Sequence, residues 1–405
     1  MYDPITVRPP ETERDPIVRS FGMLSTFPPT PCGIATFAAA LSAGLVAHGA
    51  TVDVVRCGFA PALEDSLVAA SLGDGSAASG ALAVEALNAT DVVIVQHEYG
   101  IYDGPDGDAV LGLMDAITAR LVLIAHTVVS EPSPGQRSVL ERACARADVV
   151  VVMTVTARDR LLAGFRVEPD KVIVIPHGAV TPPSSNVPVE SSRSSVGDRD
   201  TGADARPRLL TWGLLGPGKG IEWAIDAFAE LDDLDPAPTY VIAGATHPKV
   251  REEAGEGYRE MLVKRAATSG SGSRISFDDS YRDLVSLTEL IRSADVVVLP
   301  YDSDDQVTSG VLVDAVAAGR PVVSTAFPHA VELLASGAGI VVAQRDAPAM
   351  AAAIRSILID PGRARAMAAE ACRLAPNLSW AAVAARYDLV AAGLATGRVV
   401  RAVSP

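Results

Sequence analysis

Cysteine is scarce in this chain. Four occur in 405 residues, Cys32, Cys57, Cys144 and Cys372. They lie far apart, with neither metal-ligand spacing nor the density of a disulfide scaffold, and read as reduced thiols of a cytoplasmic protein. Long apolar runs are missing too: no stretch approaches the ~20 residues that span a bilayer. Residues 1–19 contain charge and proline but no apolar h-region, which argues against a signal peptide. Positive charge is in deficit, with 34 Lys and Arg against 49 Asp and Glu, a net charge of −15. Such a surface repels nucleic acid and anionic lipid, so neither is expected as the main partner, while peripheral membrane contact stays open. There is no G-x-S-x-G of an esterase and no convincing carboxylate pair of a glycosidase. Gly218-Lys219 is not followed by Ser or Thr, so it is not a Walker A loop.

What is present is a core-forming sequence, 49% hydrophobic, in which Val/Ile runs alternate with Ala-rich segments. That pattern and the length predict an α/β protein of two domains. Residues 299–324 are the most informative. An apolar strand ends at Leu299-Pro300, a polar loop follows, a helix begins near Ser309-Gly310 and stops at Gly319, and Pro321-Val322-Val323-Ser324 starts a second strand. A loop entering a helix from a strand's carboxyl end presents free amides and the positive end of a helix dipole, which suits a phosphate. Ser309 adds a hydroxyl, and Gly310 leaves the backbone open to a ligand. Asp314 falls one turn on, where its carboxylate could accept from the hydroxyls of a ribose. The plain alternative is an ordinary βαβ unit with a solvated Asp.

Four more corners at strand ends stand out. Gly33 follows the first strand and precedes a helical pattern through Ile34, Phe37, Leu41 and Leu45. The run 91–95 delivers Gln96-His97-Glu98-Tyr99, and 121–125 delivers His126, to the ends of strands, where open α/β sheets bind ligands. Leu214-Leu215-Gly216-Pro217-Gly218-Lys219-Gly220 is a tight loop with Lys219 at a helix start. Asp302-Ser303-Asp304 has the form of a metal-binding D-x-D but reads as a solvated acidic loop, and no metal is expected.

Several of these words together resemble a family. Asp314-Ala315…Gly319-Arg320-Pro321-Val322-Val323, Gly218-Lys219-Gly220 and Pro31-Cys32-Gly33-Ile34-Ala35-Thr36-Phe37 resemble the retaining glycosyltransferases of the GT-B architecture, family four, across about residues 21–387. The resemblance implies two Rossmann-like domains facing across a cleft and a C-terminal helix that crosses back to the first. It implies a nucleoside-diphosphate sugar (GDP-mannose or UDP-glucose type) as donor, a sugar or glycoconjugate acceptor, retention of configuration, and no cofactor. It assigns the donor diphosphate to Gly33, Lys219, Ser309, Gly310 and Val311, and the ribose to Asp314. Gly244 and Tyr281 fall to the base, Gln306 and Thr308 to the donor sugar, and His97, Glu98 and Tyr99 to the acceptor. His126 and Lys219 are the catalytic candidates, and His177, in Pro176-His177-Gly178, lies by the cleft.

The chain departs from the family twice. Gln306 stands where a Glu usually precedes the second acid by eight residues, and Leu214 stands where an Arg usually joins the Lys. Arg282 or Arg320 is then a candidate second cation. A catalytically silent sugar- or nucleotide-binding protein, or a GT-B epimerase or phosphorylase, remains the alternative. The expected division is a flexible N-terminus (1–16), an acceptor-side domain (17–181), a linker (182–207), a donor domain (208–375) and a terminal helical segment (376–405). A single helix is expected over 252–266; residues 60–89 carry no clear pattern.

Overall fold

Two all-parallel sheets account for the architecture of the computed structural model, which describes residues 20–58, 65–73, 76–181, 206–280, 282 and 284–396. The first alternates β1 (Ser20–Ser25), α1 (Gly33–Ala47), β2 (Thr51–Arg56), β3 (Val68–Ser71), α2 (Ala77–Asn88), β4 (Val92–His97), α3 (Ala109–Ala116), β5 (Arg120–Ala125), α4 (Pro134–Arg146), β6 (Val149–Val152), α5 (Val155–Gly164) and β7 (Val172–Val174). Its strand order is β3-β2-β1-β4-β5-β6-β7.

The second contains β8 (Arg208–Trp212), α6 (Ile221–Ala229), β9 (Thr239–Ala243), α7 (Pro248–Ala254), α8 (Gly257–Thr268), β10 (Ile275–Asp278) and α9 (Leu284–Arg292). It continues with β11 (Val296–Leu299), α10 (Gly310–Ala317), β12 (Val322–Thr325), α11 (Pro328–Leu333), β13 (Gly339–Val342), α12 (Ala347–Leu358), α13 (Pro361–Leu378) and α14 (Trp380–Thr396). The order is β10-β9-β8-β11-β12-β13.

These orders follow from composition. β4, β6 and β11 are buried on both faces, which continuous Val/Ile runs allow and alternating patterns do not. Each sheet reverses its winding once, between β1 and β4 and between β8 and β11. A crevice opens beyond the strand ends at such a reversal. The loops leaving β1, β4, β8 and β11 are the ones with the unusual sequence words.

α14 belongs to the first domain's core, as expected. Val383, Ala384, Tyr387, Val390 and Ala391 are buried with Phe37, Leu41 and Leu45. A Cβ at Gly44 would come 2.8 Å from the Ala384 Cβ, so glycine permits this close helix crossing.

Two expectations need revision. The helix expected over 252–266 is two, α7 and α8, broken at Gly255, whose φ of +63° suits glycine. Residues 60–89 include β3 and the Ser76-capped α2, whose Ala-rich sequence hides its amphipathic pattern. The expected flexible 1–16 and nearly all of the linker (182–205) lie outside the described residues.

Candidate active site between the two sheets

The glycine-rich loop after β8 and the loop after β11 lie side by side. Asp302 N donates to the Gly218 carbonyl at 3.1 Å, joining them. A Cβ on Gly213 would come 3.5 Å from Val311 Cγ2, so the end of β8 abuts the start of α10. Lys219 rests its ammonium 4.5 Å from the Tyr301 ring centroid. Among the described residues no carboxylate lies within ion-pairing distance of it. A cation seated on an aromatic face without a counter-ion is available to an anionic ligand.

α10 begins at Gly310 because Ser309 caps it, its Oγ accepting from Leu312 N at 3.3 Å. The Ser309 amide donates to His329 Nδ1 at 2.8 Å. Both Ser309 groups are therefore engaged, and the amides of Gly310 and Val311 have no partner among the described residues. A Cβ on Gly310 would lie 2.9 Å from the His177 ring, so this glycine admits the first domain's imidazole. Gly310 was expected to admit a ligand; its lack of a side chain here serves the domain contact.

Asp314 is half-buried, and its carboxyl has no hydrogen-bond partner among the described residues. Loss of hydration raises its carboxyl pKa to about 7. It faces a cavity of about 10 Å³ shared with Val180, Leu287 and Ile291, room for roughly one water. A ribose enters there only if the α9 face draws back. Beside it, Gln306 Nε2 donates to the Thr308 carbonyl, and the Thr308 hydroxyl is buried without a partner among the described residues.

Across the cleft stands a group of histidines. His126 Nε2 bonds to Gln96 Oε1, and its ring meets Phe37 edge-on at 4.9 Å. His177 Nδ1 donates to the Gly178 carbonyl at 2.6 Å, between Phe37 and Trp380. Burial lowers the pKa of His126 to about 3 and that of His177 to about 4, so both are neutral near pH 7. Gly33 starts α1 under a Cys32 cap and is exposed, with open space where a side chain would be.

Several assigned residues sit differently from expectation. His97 is 1% exposed and stacks edge-on with Tyr99, whose hydroxyl is buried without a partner among the described residues; both face inward and offer nothing to an acceptor. Glu98 accepts from the Thr127 hydroxyl and the Tyr99 amide, and burial raises its pKa. Gly244 has a φ of +137° because its backbone packs on Gly213, a reason independent of any base. Tyr281 lies outside the described residues. Arg282 pairs with Asp278, and Arg320 donates to the Ala318, Arg292 and Ala294 carbonyls, so neither stands in for the missing Arg. The D-x-D loop is not simply solvated: Asp302 pairs with Arg345 at 3.4 Å, and neighbouring Asp305 docks on the first domain.

Sequence reasoning missed that docking. Asp305 Oδ1 accepts from Ser130 N at 2.8 Å, Ser130 Oγ at 2.7 Å and Arg160 Nη1 at 3.0 Å. Val307 inserts into the first domain's core, and its carbonyl accepts from Thr154 Oγ1 at 3.0 Å. Nothing local in the sequence signals a pairing across 145 positions.

Comparison with known proteins agrees with this geometry. Residues 31–181 match the family described as Glycosyltransferase Family 4, and residues 206–360 match Glycosyl transferases group 1. The chain is 27% identical over 278 residues to a D-inositol 3-phosphate glycosyltransferase of Rhodococcus opacus, covering 64% of this chain and 59% of that protein's length. It is 33% identical over 190 residues to a Mycobacterium tuberculosis glycogen synthase, covering 45% of this chain and 42% of the relative. Among solved structures, Anabaena HepE in complex with UDP superposes with a TM-score of 0.67 at 17% identity, covering 93% of this chain and 100% of that one. A glycosyltransferase from Rickettsia africae gives 0.69 at 14% identity, covering 93% of this chain and 98% of that one. The chain belongs to the family four (group 1) glycosyltransferases, with the GT-B architecture of two Rossmann-like domains.

Proposed function

We propose that the protein transfers a hexose from a nucleoside-diphosphate sugar to a hydroxyl of a sugar or glycoconjugate, with retention and without a metal. The carrying observation is the joined pair of loops, which seats Lys219 on the Tyr301 ring with no carboxylate partner among the described residues and brings the end of β8 against the start of α10. Glycosyl transfer breaks the bond from the anomeric carbon to the diphosphate oxygen and leaves negative charge on that phosphate. Lys219 and the Gly310 and Val311 amides would stabilise that charge as it develops. The acceptor oxygen bonds to the anomeric carbon from the face the diphosphate leaves. Its proton passes to a phosphate oxygen of the departing diphosphate, so no protein base is required. The neutral His126 would border the sugar, with Thr308 offering it a hydroxyl. Asp314 would meet the ribose once the nucleotide opens its cavity.

The structures of Anabaena HepE with UDP and with UDP-glucose support a uridine donor over a guanosine one. The D-inositol 3-phosphate glycosyltransferases favour a polyol-type acceptor hydroxyl. Incubation with UDP- and GDP-hexoses and a panel of hydroxyl acceptors tests this reading, with the product anomer assigned by NMR. An α-linked product from an α-configured donor is expected; a β-linked product contradicts retention. The departures at Leu214 and Gln306 favour a second reading, a nucleotide-binding protein without turnover. Nucleoside diphosphate binding with no transfer to any acceptor, and no donor hydrolysis, would select it.

A further inference from the structure

The loop between β9 and α7 lies directly on the glycine-rich loop. Leu215 and Thr246 form a parallel bridge, Leu215 N donates to the Ala245 carbonyl at 2.9 Å, and His247 N donates to the Leu215 carbonyl at 2.8 Å. A Cβ on Gly216 would lie 3.2 Å from Val250 and 3.9 Å from the His247 Cβ. His247 is thus fixed against the turn that should carry the family's arginine and carries Leu214 instead.

The protonation of His247 follows from its bonding. Its Nδ1 accepts from Lys249 N at 3.3 Å, so the ring is neutral with its proton on Nε2, a donor without a partner among the described residues. Burial, with Lys219 and Lys249 nearby, lowers its pKa and keeps it in that form. Lys249 reaches over the cleft to the Gly100 carbonyl of the first domain at 3.4 Å. Among the described residues neither Lys219 nor Lys249 has a carboxylate within ion-pairing distance, although acidic side chains outnumber basic ones in this chain. Two cations and one neutral donor surround this corner; Glu98 lies near Lys249 but spends its oxygens on the Thr127 hydroxyl and the Tyr99 amide, so a further anion has donors to engage.

We propose that the corner after β9 is a phosphate-binding arm, in which His247 Nε2–H and the Lys249 ammonium join Lys219 in holding a phosphate group in the cleft. The arm replaces the cation absent at Leu214, and it rests on the reading of Lys219 given above. Two sources share this chemistry: the donor's diphosphate, or a phosphate on the acceptor.

The test compares the full chain with His247→Asn, which keeps an acceptor for the Lys249 amide, with Lys249→Met at an exposed position, and with Lys249→Arg. UDP affinity is measured by calorimetry, and the KM for a phosphorylated and an unphosphorylated polyol acceptor is measured at fixed donor. If the phosphate is the donor's, His247→Asn and Lys249→Met each weaken UDP by about tenfold, and Lys249→Arg recovers most of it. If it is the acceptor's, UDP affinity holds and only the KM for the phosphorylated acceptor rises by a similar factor. Wild-type values for all ligands in both variants, while Lys219→Ala loses UDP, would overturn the arm but leave the Lys219 site standing. Failure of the wild type to bind UDP or GDP overturns the Lys219 reading and this one with it.

Discussion

The Glu332 carboxylate, on α11 of the second domain, accepts the Val155 amide at the start of α5 in the first, at 2.8 Å. The same carboxylate takes the Thr156 amide at 2.9 Å and its hydroxyl at 2.8 Å. A helix N-terminus in one domain is therefore capped by a side chain of the other. Such a cap combines hydrogen bonds to a charged group with the favourable end of a helix dipole. With Asp305 on Ser130 and Arg160, it fixes the position of the loop that carries Gln306 and Thr308. Glu332→Ala should cost about 2 kcal/mol of stability, with Glu332→Gln losing less. Urea unfolding measures it, and an unchanged midpoint for the alanine variant would show the cap to be idle.

Asp314 carries a stability cost that the ligand is expected to offset. Its carboxyl titrates near pH 7 in the fold, against 3.8 for the free group. The folded state thus holds the proton more tightly than the unfolded chain between those values, and stability falls as pH rises through them. Asp314→Asn should therefore stabilise the unliganded protein by about 2 kcal/mol at pH 8, allowing for partial exposure. The gain should nearly vanish at pH 4, and nucleotide affinity should drop. A gain equal at both pH values would show that the effect is not electrostatic.

The buried histidines act in the opposite direction. Loss of hydration lowers His97 and His177 to about 4, and His126 and His329 to about 3, from a free value of 6.5. Below pH 6.5 the unfolded chain binds protons that the folded one refuses, so their contribution is complete above 6.5 and is lost as pH falls towards 4. Protonation of His329 also removes the lone pair that accepts the Ser309 amide. Stability should fall by on the order of 1 kcal/mol per histidine between pH 7.5 and 5.5. Denaturant unfolding at the two values checks this, and His329→Gln should flatten the slope. A flat profile in the unmodified chain contradicts it.

The fold was largely legible because the Val/Ile strands and the glycine corners are local signals, and the strand ends at Leu299 and Trp212 carried both the topology and the candidate site. Lys219 and Asp314 were readable because fixed spacings place them relative to a helix start. Other features depend on distant neighbours. The inward turn of His97 and Tyr99, the engagement of Arg320 by backbone carbonyls and the seat of His177 against Gly310 are set by packing between segments remote in sequence. The amphipathic pattern of α2 was hidden by alanine, which fits either side of a helix equally well.

The central claim is that a nucleoside diphosphate binds where the Lys219 loop meets the first turn of α10. Calorimetric titration of UDP and GDP into the wild-type chain and into Lys219→Ala measures this most directly. The account predicts one site per chain, for UDP in preference to GDP, weakened by about thirtyfold in the variant, as loss of a charge-assisted contact implies. Equal affinity in the two proteins would contradict it.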